Sequence, residues 1–217
     1  MQANHCWQFK KLGKWIMADA TSLTLLDRLQ SEDHKSSWLE LQEVYQPLIR
    51  KWLTKYSMQE ADVEDLVQEV MLTVSKEVGS FEHNGRTGAF RAWLRTILAN
   101  RLLMFWRSQK KVAKVGQDSH VVREIEQLHD PASDLSKIWD RDHDQMVAYQ
   151  LLQRSKKYFT PQTWECFRRF ALEGEPAKEV AKRLKVSVNT VFIAKSRVLG
   201  RLRTEARGLV DSAMEIR

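Results

Sequence analysis

Residues 176–203 read PAKEVAKRLKVSVNTVFIAKSRVLGRLR, and their apolar spacing predicts two helices packed against each other. Val180, Ala181 and Leu184 mark one face of a short helix, and the small Ala181 lies where two helices must cross closely. Ser187 is placed to cap a second helix. The inner face of that helix carries Val191, Ala194, Val198 and Leu202. The pattern predicts a helix-turn-helix.

The outer positions of the second helix are mostly polar or basic. Arg and Lys suit guanine edges and phosphates, and Asn suits adenine, so this mixture is typical of a helix that reads the major groove of DNA. An ordinary helical hairpin with a solvated basic face is the alternative, and Phe192 is equally acceptable as a core residue. The candidate DNA contacts here are Ser187, Asn189, Thr190, Lys195, Ser196, Arg197 and Arg201.

The charge is unevenly distributed along the 217 residues, whose formal net charge is +7. Residues 86–114 hold eight basic and no acidic side chains, and residues 154–207 hold fourteen basic and five acidic ones. Between these blocks, residues 118–144 hold eight acids and three bases. Two cationic regions that flank an acidic one favour nucleic acid as a partner more than the overall charge does.

Upstream, helical periodicity predicts an all-α domain over residues 21–112, with few Gly or Pro to interrupt it. Its elements are a helix around residues 39–56 that Pro47 can kink, a helix from Ser57 to about residue 78, a polar loop over 79–88 and a helix over 89–109. Ser57 and Glu60 have the spacing of a capping box.

The remaining segments complete an all-α fold of two small domains joined by a linker. Residues 113–140 are polar and acidic and are predicted to be a linker that is partly disordered. A helix over 140–158 then begins a second domain, residues 141–210, in which Thr160 caps a helix that Gly174 ends. Residues 1–20 are expected to be a disordered extension, and either Met1 or Met17 can be the true start.

Two helices of the first domain have opposite electrostatic character. Helix 89–109 alternates arginines with aromatic residues, which suits single-stranded DNA, although the aromatics can equally form core and the arginines a solvated surface. Helix 58–78 carries five acids before its first base and brings Asp65, Gln68 and Glu69 onto one turn. An acidic face suggests a basic protein partner, and the helix macrodipole explains only the N-terminal acids.

Several functional classes are disfavoured by residue type. The chain has no phosphate-cradling Gly-rich loop, no HExxH and no Ser/His/Asp set in a motif, so we expect no catalytic activity, cofactor or metal. The cluster Asp140–Asp144 resembles a metal-binding group, but it is better interpreted as the acidic first turn of a helix. Cys6 and Cys166 are interpreted as free thiols in a reducing cytoplasm. No apolar run approaches the length of a membrane span.

The chain resembles a known family at three segments. ADVEDLVQEV at 61–70 and FRAWLRTILANR at 90–101 resemble region 2 of ECF-type sigma factors, and residues 175–203 resemble their region 4. The lysine of the common Thr-Val-Lys-Ser-Arg pattern is missing, because Phe192-Ile-Ala lies between Val191 and Lys195. This departure leaves open which residues of the second helix touch bases.

The resemblance implies a non-catalytic, monomeric factor that directs RNA polymerase to promoters. Asp62, Asp65, Gln68 and Glu69 would dock on the clamp helices of the largest polymerase subunit, and the C-terminal domain would bind the flap of the second-largest and read the −35 element. An anti-sigma factor is a further implied partner. The residues implied in melting the −10 element are Arg86, Phe90, Arg91, Trp93, Arg95, Asn100, Arg101, Trp106 and Arg107.

The residues leave two other hypotheses open. A conventional regulator with an N-terminal dimerisation or sensor domain predicts a stable dimer on a palindromic site. A nucleic-acid enzyme that uses the first domain predicts magnesium-dependent activity, which the missing carboxylate or metal cluster disfavours.

Overall fold

The computed structural model describes residue 29 and residues 34–82, 88–112 and 118–206. All regular structure in these ranges is helical, which confirms the predicted all-α class. Among the described residues, those up to His143 belong to one compact unit and those from Asp144 to another. The helices are α1 (His34–Leu53), α2 (Glu60–Glu77), α3 (Ala89–Val112), α4 (Asp118–Glu126), α5 (Asp134–Lys156), α6 (Pro161–Phe167), α7 (Ala177–Leu184) and α8 (Val188–Ala206).

Three long helices form the body of the first unit. Helix α2 packs on both α1 and α3, and the apolar stripe predicted in each helix is buried between them. Pro47 is exposed and lies within α1, which is assigned as one helix from His34 to Leu53. The buried side chains are Leu41, Val44, Tyr45, Leu48, Ile49, Trp52 and Leu53 of α1, Val63, Leu66, Val67, Val70, Met71 and Val74 of α2, and Phe90, Leu94, Ile97, Leu98, Leu102 and Leu103 of α3.

The start of α2 differs from the prediction. The helix begins at Glu60 behind Gln59, whose backbone is extended and whose side chain makes no capping hydrogen bond. The predicted capping box of Ser57 and Glu60 is therefore wrong. Glu60 instead lies near Arg50 of α1, with 3.7 Å between the guanidinium and the carboxylate.

The predicted linker is largely folded. After α4, a 3₁₀ turn (Gln127–His129) leads towards α5, which begins at Asp134 and not near residue 140. Ile125, Leu128 and Trp139 are fully buried, and the Trp139 indole donates a hydrogen bond of 3.1 Å to the Arg91 carbonyl. The prediction of partial disorder is thus wrong for residues 118–140, which are part of the first unit.

Asp142, just beyond the predicted linker, is paired with bases of the first unit and belongs to that unit and not to the predicted second domain. Lys51 and Lys55 bond the two carboxylate oxygens of Asp142 at 3.0 and 3.2 Å. Burial alone would raise the pKa of Asp142, but these two hydrogen bonds outweigh it and hold the pKa below its ordinary value. The interpretation of Asp140–Asp144 as the first turn of a helix is wrong, because these residues lie well inside α5.

The second unit contains the predicted caps and turns. The Thr160 hydroxyl accepts a hydrogen bond from the Thr163 amide at the start of α6, and Gly174 has a φ of +75°. Helix α6 continues into a π-helical turn, Arg168–Leu172, in which the Glu173 amide donates to the Arg168 carbonyl. The predicted extension over 1–20 lies outside the described residues, as does Cys6.

Candidate nucleic-acid interface

Helices α7 and α8 are joined by a turn of three residues. Lys185 has a φ of +54°, in the left-handed region, and its conformation turns the chain sharply after α7. The Ser187 hydroxyl accepts a hydrogen bond of 3.1 Å from the Thr190 amide, which confirms Ser187 as the cap of α8. The sequence therefore determines the entry angle of α8 through one strained residue and one cap.

A small apolar core holds the two helices together. Cys166, Val180, Ala181, Val191 and Ala194 are buried in one cluster, as the sequence predicted for all but the cysteine. The Cys166 thiol is free, and burial raises its pKa. This packing leaves the opposite face of α8 directed to solvent.

Most of the candidate DNA contacts lie on that exposed face. Ser187, Asn189, Thr190, Ser196 and Arg197 are all exposed. Lys195 is half-buried, with its ammonium 5.4 Å from the centre of the Phe170 ring. The face is open, as a DNA-reading helix requires.

Arg201 differs from the other candidates because it is engaged within the unit. Its guanidinium stacks 3.7 Å from the centre of the Tyr158 ring and donates to Glu205 at 2.5 Å. These contacts give Arg201 a structural role within the second unit, and its side chain is half-buried.

An ion-pair network lies next to the helix pair. Arg168 and Arg169 both donate to Glu165, with the Arg169 bond at 2.7 Å. The hydrogen bonds from Arg168 lower the pKa of Glu165 to about 2, and the same contacts raise the pKa of Arg168. Arg168 also pairs with Glu173, and Arg169 with Glu175 at 3.0 Å. The network ties α6 to the segment that precedes α7.

In the first unit, the arginines of α3 do not share one environment. Arg95 is only 3% exposed; it donates to the Leu128 carbonyl and to Asp140, both at 3.0 Å. Desolvation lowers its pKa, and Asp140 opposes that shift. The expectation that Arg95 faces solvent is wrong. Arg91 is half-buried, with its Nε 3.4 Å from Asp140.

Further along α3, a groove that we call the basic groove lies beside the exposed Met104. Asn100, Arg101 and Arg107 line it together with Thr73 and Glu77 of α2, and its volume is about 350 Å³. Arg101 is oriented by a hydrogen bond of 2.8 Å to the Thr73 hydroxyl. Thr73 and Met104 were absent from the sequence candidates, because neither belongs to a recognised motif.

The aromatic residues near the start of α3 form a cluster. Phe81, Phe90 and Trp93 contact each other with ring centres 5.1 to 5.7 Å apart. Phe90 is buried, and Trp93 is half-buried. Trp106 is half-buried, and its indole nitrogen has no hydrogen-bond partner among the described residues. Arg86 lies outside the described residues.

The acids of α2 fall into two groups. Glu60 and Glu64 are paired with Arg50 of α1. Asp65, Gln68 and Glu69 are exposed, and no base in the described ranges pairs with the two carboxylates. These three residues line an open groove of about 590 Å³, which we call the acidic groove, together with Trp38, Gln42, Gln46, Met71, Leu72 and Ser75. Asp62 is half-buried.

The first unit also matches a known protein family. Residues 41–112 match the family model for Sigma-70 region 2. This match supports the interpretation that the chain is a sigma-70 family factor. The region 2 match extends from Leu41 of α1 to the end of α3, so it includes Asp65, Gln68 and Glu69 of the acidic groove and Asn100, Arg101 and Arg107 of the basic groove.

A factor of this family recognises promoters together with RNA polymerase and is not itself an enzyme. A search of curated proteins finds no match. Within the described ranges, no helix is both long and apolar enough to cross a membrane, and no cluster of His, Cys, Asp or Glu is arranged to hold a metal ion.

Proposed function

We propose that this protein is an ECF-type sigma factor that works with RNA polymerase in the cytoplasm. The observation that carries the proposal is the region 2 match over a unit with an open acidic groove on α2 and a basic groove on α3. The exposed face of α8 supports a second, duplex-reading element in the same chain.

In this proposal, polymerase binds first through α2. Asp65, Gln68 and Glu69 dock on the clamp helices of the largest subunit, and the exposed Leu72 adds an apolar contact beside them. Because Glu60 and Glu64 are already paired with Arg50, the unpaired acids are the ones that gain most from a basic partner. The flap of the second-largest subunit binds the unit that contains α8.

In the same proposal, α3 melts the DNA. Asn100, Arg101, Trp106 and Arg107 contact the −10 strand, and Trp93 offers the partly exposed ring near a flipped base. Arg95 and the buried Phe90 support the helix from within and do not touch DNA. Helix α8 reads the −35 element through Asn189 and its exposed neighbours.

A matched pair of charge reversals tests the docking surface. Asp65→Lys with Glu69→Lys should abolish capture of core polymerase while the circular dichroism spectrum stays unchanged. Glu126→Lys with Asp134→Lys introduces the same charge at exposed acids of the same unit and should leave capture intact. Equal capture by both double variants would refute the assignment of α2.

Run-off transcription tests the function itself. Core polymerase should start at specific promoters only when the full chain is added. Sedimentation separates this proposal from a conventional regulator, because a sigma factor is expected to be a monomer and the regulator a dimer on a palindromic site. A stable dimer and no promoter-specific start would favour the regulator.

A further inference from the structure

Two large apolar side chains lie on the outward part of α8. Phe192 is 49% exposed and Ile193 is 41% exposed. The buried residues of α8 face the core of the unit and are Val191, Ala194, Val198, Leu199 and Leu202. At about 100° per residue, Ile193 lies nearly opposite that buried face. Solvent exposure of such side chains is unfavourable, so it suggests a partner.

The position of Phe192 is set by its neighbour. Its ring meets Phe170 edge to face, with centres 5.3 Å apart, while about half of the side chain stays open to solvent. Because the Phe170 contact restricts the ring, little side-chain entropy is lost when a partner packs on its open half.

The surroundings of the pair favour DNA over a protein. Asn189 lies one turn before Ile193 and Ser196 one turn after it, and both are exposed. Lys182, Lys185 and Arg197 are exposed cations of the same helix pair. Helix α8 itself carries no acid before Glu205. An apolar centre with polar neighbours and a cationic rim matches the edge of a groove between two phosphate backbones.

We infer that Phe192 and Ile193 recognise the 5-methyl groups of thymines in the major groove. This inference rests on the proposed function, in which α8 enters that groove. The thymine methyl is the apolar group that the bases present there, and Asn is the side chain that pairs bidentately with adenine. Phe192 and Ile193 thus select A·T pairs through contact with the thymine methyl. Cationic side chains at the same positions would instead favour guanine.

The experiment starts from the full chain and a pool of randomised DNA duplexes. Sequences enriched by binding are resynthesised with either thymidine or deoxyuridine, which differ only in the methyl group. Wild-type protein should bind the thymidine duplex more tightly by about fourfold for each methyl contacted, the free energy of burying one such group. Phe192→Ala and Ile193→Ala should each reduce that ratio, and the double variant should bring it to one.

Controls separate the possible failures. Leu39→Ala truncates a somewhat more exposed apolar side chain in the other unit and should keep the full ratio, and circular dichroism checks that each variant is folded. Enrichment without a preference for thymidine overturns this inference and leaves the proposed function standing. No enrichment of any sequence overturns this inference, and it overturns the proposed function as well only if core polymerase with the full chain also starts at no promoter. If the variants keep the thymidine preference but no longer bind core polymerase, the two side chains contact protein, and this result also overturns the inference.

Discussion

Neutralising Asp140 should destabilise the first unit through the guanidinium of Arg95. The Arg95 side chain is 4% exposed, and its bond to Asp140 is 3.0 Å long. Removing one partner of a fully buried ion pair costs about 3–5 kcal/mol. Asp140 is 33% exposed and Arg95 keeps the Leu128 carbonyl, so we expect a loss of about 2 kcal/mol for Asp140→Asn after discounting for solvent.

Urea unfolding of the full chain measures this loss. A change of about 2 kcal/mol moves the midpoint by about 1 M at a typical slope. Tryptophan fluorescence reports the transition, because Trp52 and Trp139 lie edge to face in the buried core, 5.1 Å apart. The slope should not change, since the variant removes a charge and no folded segment.

Two further variants decide the cause. Asp134→Asn removes an exposed acid of the same helix whose partner Lys137 is also exposed, and it should cost under about 0.5 kcal/mol. Arg95→Met combined with Asp140→Leu should recover most of the loss, because a hydrophobic pair needs no charge partner. If Asp140→Asn costs no more than Asp134→Asn, the pair does not anchor α5 and the reasoning is wrong.

Four other changes have defined outcomes. The pKa of Glu165 is lowered to about 2, so its ionised carboxylate stabilises the folded state above the unfolded-state pKa of about 4.3, and this stabilisation is lost as pH falls towards 2. Glu165→Gln should therefore lower the free energy of unfolding by about 1–2 kcal/mol at pH 7 and by little at pH 2, as measured by thermal unfolding. Ser187→Ala removes the cap of α8 and should cost about 1 kcal/mol in the same assay. Lys185→Gly should stabilise by up to about 1 kcal/mol, because glycine adopts the φ of +54° without strain. Gly200→Ala should stabilise by about 0.5–1 kcal/mol, since Gly200 is exposed inside α8 and a Cβ there meets no atom within 4 Å; a lower melting temperature for this variant would contradict the assigned environment.

The helices were predictable wherever local signals agreed. Val191, Ala194 and Val198 repeat at helical spacing and are buried as expected. Thr160 and Ser187 are caps because their hydroxyls reach an amide three residues on, which depends only on nearby sequence. The exposed acids of α2 were also predictable, because they lie off the apolar stripe.

The docking of residues 118–140 was not predictable from local signals. Ile125, Leu128 and Trp139 are too far apart to form a strong stripe, and the acids around them resemble a solvated linker. They are buried because Arg95, Lys51 and Lys55, distant in sequence, neutralise Asp140 and Asp142. The same long-range pairing explains why Arg95 is buried although its neighbours in α3 suggested a surface.

The π-helical turn at Arg168–Leu172 makes the contact between Phe170 and Phe192 sensitive to the number of residues in that turn. Such a turn holds one residue more than the α-helical path would need. Deleting Ala171 would tighten the winding and rotate α6 by about 100° relative to the chain after the turn. The Phe170 ring would then swing away from Phe192, so a one-residue deletion well before α8 would loosen a side chain on its outer surface without altering α8 itself.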